Sequence, residues 1–227
     1  MPSPLELAGV VTGSMVLDQL YCELLVDRRL RGGGYRRLSP GEARRLARAL
    51  ARLLEAPPGR RLAGLTVVGE AAGVYWAVSP DLAVTRGDRV AGLVRARIRR
   101  SLRVYESDYG LLQLAALVLD NQGLLDDDAV LLVIVGESRE ALARGIEETL
   151  AGPRIRPLIG RGWRASTRVY DRGEAEALAG RLSGYWLGAR PPEPRPSPSR
   201  CSRCPLAGEC PYSAAGHSGG AGGSAYI

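Results

Sequence analysis

The sequence predicts an α/β fold. Three observations carry it: short apolar stretches between 62 and 98 split by turn residues, a continuous apolar strand of the buried kind at 129–135, and segments of helical period on either side of that strand. With 227 residues, 45% of them hydrophobic, the chain can bury one substantial core.

Thr12-Gly13-Ser14 offers an N-cap, and Val16, Leu17, Leu20, Leu24 and Leu25 recur on one face, which predicts a helix over about 14–30 carrying Cys22. Gly32-Gly33-Gly34 ends it. A capping box with proline in the first turn, Ser39-Pro40-Gly41-Glu42, starts a second helix that runs to about 55 and is closed by Pro57-Pro58-Gly59. A strand meander follows: 65–68, 74–78, 82–84 and 90–98, with turns at Gly73, Pro80 and Gly87-Asp88. A helix over 108–122, the strand at 129–135 and a helix over 138–150 complete the α/β core. The last helix, about 173–187, ends at Gly188, and the proline-rich 190–200 is a stiff extended spacer. Residues 213–227 hold too few apolar side chains to order themselves, so 1–212 is expected as one domain with a disordered tail.

All 31 basic residues are arginine. Without a lysine, no mechanism that needs a lysine amine can operate. A net charge of +7 favours an anionic partner such as nucleic acid. The chain has no apolar run near the ~20 residues of a membrane span, and its opening residues lack the pattern of a secretory signal, which points to the cytoplasm. In that compartment cysteines stay reduced, so a set with ligand spacing reads as a metal site and not as disulfides.

Cys201, Cys204 and Cys210 form C-x2-C-x5-C, a tight knuckle that aims three thiolates at one centre. A fourth ligand must come from elsewhere, and Cys22 is the only remaining cysteine. Thiolate-rich sites suit zinc or an iron-sulfur cluster, and spacing does not separate the two.

The stretch from Val11 to Cys22, VTGSMVLDQLYC, resembles the entry helix of the CRISPR-associated exonucleases of the RecB family. The helix at 173–187, the segment Gly-Ala-Arg-Pro-Pro-Glu-Pro and the C-x2-C-x5-C knuckle resemble their closing segment, where one early and three late cysteines bind a [4Fe-4S] cluster. The resemblance spans roughly 11–212, and the cysteine layout is shared with iron-sulfur nucleases of helicase-nuclease complexes. It implies a restriction-endonuclease-like PD-(D/E)XK fold: a mixed sheet flanked by helices, with the N-terminal helix and the C-terminal knuckle joined at a metal cluster. Cys22, Cys201, Cys204 and Cys210 would be the ligands of a [4Fe-4S] cluster, or of zinc as the alternative.

That family carries a His ahead of the sheet, an Asp on one strand, Glu-x-Lys on the next and a Gln on the following helix. Asp81 and Gln113 match the Asp and the Gln. Arg95 and Arg97 stand at the Glu and Lys positions, and the only histidine, His217, lies in the tail. Such nucleases hold Mg2+ or Mn2+ between carboxylates to activate water. Arg95 cannot ligate a cation, so an ion pair with it is expected for Asp81, and Arg97 cannot take part in proton transfer as a lysine can. Glu70, on the preceding strand, is the candidate second carboxylate. Arginines grip phosphates bidentately, so Arg95 and Arg97 are expected as DNA contacts that turn a cutting groove into a holding one.

The function expected from the resemblance is DNA binding or processing in a spacer-acquisition setting with nuclease activity lost or weak, Mg2+ or Mn2+ being bound only where cutting survives. Two other readings stand beside it: an active exonuclease with a rearranged site, and a metal-stabilised structural or docking protein that touches no DNA. Expected partners are DNA and spacer-integration proteins, with self-association open and no membrane.

Overall fold

The computed structural model describes residues 3–39, 41, 42, 45, 61–152 and 155–214. A short capped helix, α1 (Pro4–Ala8), and strand β1 (Val11–Thr12) lead into α2 (Gly13–Tyr21) and α3 (Glu23–Arg31). The single helix expected over 14–30 is therefore two. Cys22 is extended, with φ −166° and ψ 123°, and is at once the last cap of α2 and the first cap of α3. The capping box of the next helix is present: Glu42 N–H donates to Ser39 Oγ at 3.2 Å, and Ser39 N–H donates to the Glu42 carboxylate at 2.9 Å. Most of the helix expected to 55, and the Pro57-Pro58-Gly59 stop, lie outside the described residues.

Strands β2 (Arg61–Ala63), β3 (Val67–Ala71), β4 (Val74–Val78), β5 (Leu82–Arg86) and β6 (Arg89–Ile98) do not form one meander. β3 and β4 make a hairpin whose turn residues Ala72 and Gly73 both have positive φ, the geometry that suits strand twist. With β1 parallel to β4, they form a three-stranded sheet in the order β1-β4-β3. After Ser79-Pro80 the chain changes sheets. β5 and β6 join three later strands, β7 (Leu125–Gly136), β8 (Leu158–Gly160) and β9 (Trp163–Val169), in a six-stranded sheet ordered β2-β5-β6-β7-β9-β8, in which β6 and β7 are parallel and the other neighbours antiparallel.

The remaining elements are α4 (Glu106–Asn121), β7 (Leu125–Gly136), α5 (Arg139–Ala151), β8 (Leu158–Gly160), β9 (Trp163–Val169), α6 (Arg172–Trp186) and α7 (Pro198–Cys201). β7 starts four residues earlier than its apolar run. Its acidic opening tolerates a strand because Arg86 meets Asp128 at 3.0 Å and Asp126 at 3.6 Å, and Arg89 meets Asp127 at 3.6 Å. The β8–β9 hairpin has no counterpart in the sequence-based expectation.

The molecule is thus mixed α/β, two mixed sheets flanked by helices. α4 is the central element. Its Leu112, Ala115 and Leu119 share one buried core with Trp76 and Val78 of the small sheet and with Leu93, Leu131 and Val133 of the large one. α6 closes that core through Leu182, Tyr185 and Trp186. α5 covers the opposite face of the large sheet, where Leu142 and Ile146 pack on Leu132, Ile134 and Trp163. No helix among the described residues is long and apolar enough to cross a membrane.

Gly136 lets α5 start hard against β7: a Cβ there would lie 2.6 Å from the backbone nitrogen of Leu142 and 2.7 Å from its Cα. Backbone on one side and a packed sheet on the other leave no room to yield. Gly136→Ala is expected to cost about 2–3 kcal/mol, seen as a lower urea midpoint at an unchanged slope.

Candidate metal centre and the arginine-filled strand site

Cys22 sits where α2 stops and α3 begins, so its side chain leaves the helix surface at a break and not along a regular face. The other three cysteines belong to a run of tight turns. Ser197 caps α7, then Cys204 N–H donates to Cys201 O at 3.1 Å, Ala207 N–H to Cys204 O at 3.1 Å and Ser213 N–H to Cys210 O at 3.0 Å. Turns at this pitch place Cys201, Cys204 and Cys210 on one side of the knuckle. All four cysteines line a single small, partly open pocket, together with Tyr21, Leu24, Arg195 and Arg200.

Each thiol is part-buried and none is in a disulfide. Among the described residues no three His, Cys, Asp or Glu side chains are set to hold a metal ion as they stand. The four thiols share a cavity wall without converging on one point. The donor set still fits a thiolate-bound centre in kind: four soft sulfur ligands, with Arg195 and Arg200 in the same wall to offset thiolate charge. Burial, and next the neighbouring Cys204 and Cys201, push the Tyr21 hydroxyl above its usual pKa, so it stays protonated and donates to the Arg200 carbonyl.

The strand site is filled by arginine. Arg95 and Arg97 alternate along the end of β6 and so face one side of the sheet, and Arg99 follows directly after the strand. Asp81 Oδ2 accepts from Ala96 N–H at 2.9 Å and from Arg97 Nη1 at 3.2 Å, and Arg95 Nη1 lies 3.7 Å away. The expected pairing of Asp81 with Arg95 is present. Asp108, buried in the first turn of α4, accepts from Arg99 Nη1 and Nη2 at 2.7 and 2.9 Å, with Arg97 Nε at 3.9 Å. Sequence reasoning missed Asp108, which could have been found from its first-turn position, where its carboxylate accepts Tyr105 N–H.

Neither of the other two candidates joins Asp81. Glu70 is exposed on β3, in the other sheet, and its carbonyl accepts from Asn121 at the far end of α4. The helix rise between Asp108 and Asn121 is about 20 Å, so Glu70 is not the second carboxylate. Gln113 donates to Glu174 of α6 at 3.2 Å and bridges two helices, not a helix and the sheet. Arg95 is only 6% exposed, with its Nε buried and unpartnered, so it faces Asp81 and not a phosphate at the surface. Arg97 remains partly exposed.

No protein-family model and no curated protein sequence matches the chain.

Proposed function

We propose that the chain is a RecB-type, PD-(D/E)XK-like iron-sulfur protein of the CRISPR-associated kind, which holds DNA and does not cut it. The single observation that carries this reading is the shared cavity of Cys22, Cys201, Cys204 and Cys210, built by the α2–α3 junction and a knuckle from the other end of the sequence. The cluster would be bound by these four thiolates. The loss of cutting is supported by the strand site, where arginine neutralises the one acidic residue that matches the nuclease pattern.

DNA binding is supported by an arginine-rich rim at the carboxyl ends of the parallel pair β6 and β7, the end of an α/β sheet where ligands are commonly met. Arg97 pairs in register with Val135 and Val135 with Arg164, so the two arginines share a face about 10 Å apart. Arg100, Arg103 and Arg164 are exposed and make no ion pair among the described residues. Beside them Tyr105 is 45% exposed, with the Arg99 guanidinium 4.7 Å from its ring centre. Cationic side chains around an open aromatic ring suit a single strand, whose bases stack and whose phosphates are gripped. Spacer-integration proteins are the partners this reading calls for, in the cytoplasm.

Affinity for a single-stranded oligonucleotide, measured by fluorescence anisotropy, is expected to fall steeply with salt. Replacing Arg100, Arg103 and Arg164 by alanine together should flatten the log–log slope by about 2, following ~0.7 per phosphate contact on single strands. Wild-type protein that binds neither single-stranded nor duplex DNA at low salt removes the DNA-holding role.

A further inference from the structure

We propose that Glu23 is the positioning residue of the cysteine cradle: it docks the junction carrying Cys22 onto the segment that leads to the knuckle, so protein contacts bring the four thiols to one cavity before a metal arrives. The proposal rests on reading the four cysteines as one site. It departs from the simpler expectation that the metal itself ties the two ends of the chain together.

Glu23 follows Cys22 directly and is 0% exposed. Its carboxylate accepts from Arg190 Nη1 at 2.5 Å and Nη2 at 2.8 Å, from Glu193 N–H at 2.8 Å and from Gln19 Nε2 at 2.9 Å. Gln19, three residues before Cys22, is also 0% exposed. Its amide donates to Leu182 O at 3.0 Å as well as to Glu23, and its carbonyl accepts from Trp186 Nε1 at 2.7 Å. Both flanks of the helix break are therefore pinned to residues 182–193 by a network in which every side-chain polar atom of Gln19 and Glu23 is paired.

What the network delivers is direction. From Glu193 the chain runs through Pro194, Arg195 and Pro196, which line the thiol cavity, and reaches Cys201 within eight residues. The two prolines restrict the backbone over that short reach. Tyr21 to the Arg200 carbonyl and Arg28 to Glu209 at 2.5 Å add contacts further out, and none of these bonds uses a thiol. A buried ion pair is a poor way to gain stability, since an apolar pair of the same volume does as well or better. A bidentate arginine fork, by contrast, accepts one docking register, and the register is what brings Cys22 to face the knuckle.

The test uses full-length protein stripped of metal with chelator and reductant, treated with a short bis-maleimide and mapped by peptide mass spectrometry. Wild type is expected to link Cys22 to Cys201, Cys204 or Cys210. Glu23→Gln, which keeps the shape and removes the charge, should form that link at least tenfold more slowly. Val133→Ala, a core truncation away from the cradle, should lower the melting temperature and leave the link rate unchanged. Should Glu23→Gln fail to fold, Arg190→Lys takes its place, keeping the charge but losing the bidentate grip. Metal-free wild type that leaves Cys22 unlinked overturns the proposal, as does a positioning variant that links at the wild-type rate or a core control that slows as much. Wild type that links but retains neither iron nor zinc on reconstitution removes the metal centre and leaves the positioning role standing.

Discussion

Wild-type protein incubated with single-stranded or duplex DNA and Mg2+ or Mn2+ is expected to release product no faster than Asp81→Ala. A cutting site of this type needs at least two carboxylates around its cation. Here the candidate acid already accepts from Ala96 N–H and Arg97 Nη1 at 2.9 and 3.2 Å, and the guanidinium of buried Arg95 lies 3.7 Å away. A guanidinium at that range is worth about 4 kcal/mol to the carboxylate at an effective dielectric of ~20, trimmed because Asp81 is partly exposed. An incoming cation loses that attraction and meets repulsion in its place, roughly a thousandfold in affinity. The reverse change gives the sharper test. Arg95→Glu would place a carboxylate on the same face as Asp81 and Asp108, and calorimetry should then detect Mg2+ binding that wild type lacks; Arg97→Lys in addition restores the remainder of the motif. Metal-dependent cutting by wild type that Asp81→Ala abolishes sinks the non-cutting account and makes Asp108, not Glu70, the acid to replace next.

The contrast between Asp108 and Glu70 shows where sequence reading reaches its limit. Glu70 lies on the strand before Asp81 and looks adjacent along the chain. Topology sends β3 into the small sheet and β5 into the large one, and the two hairpins carry similar turn signals, so nothing local tells which strands pair. Pairing is decided by α4, which buries one face of each sheet. The break at Cys22 was hidden for a related reason. The apolar period of Val16, Leu17, Leu20, Leu24 and Leu25 runs through it unbroken, and the departure is one residue's backbone, held by a carbonyl and side chains that meet Glu23 and Gln19 from 163 or more positions away. The β8–β9 hairpin leaves Ile159 and Val169 exposed, so its alternation was too weak to read. The α4, α5 and α6 helices were legible because a long run of helical period marks each, with Ser138 and Asp171 capping α5 and α6. The knuckle was legible because its spacing is local.

Iron, acid-labile sulfide and zinc per chain in anaerobically purified protein, wild type beside Cys22→Ala and Cys204→Ala, decide whether the four cysteines hold a cluster. Wild type should be brown, absorb broadly near ~400 nm and carry about four irons and four sulfides. Either substitution should remove the colour and most of the iron, because both cysteines border the same cavity. Cys22→Ala should nevertheless stay folded, its junction still held by Glu23 and Gln19. Stoichiometric zinc without sulfide would replace the cluster and keep the four ligands. Full metal retention by Cys22→Ala, or no metal in wild type, would contradict the account.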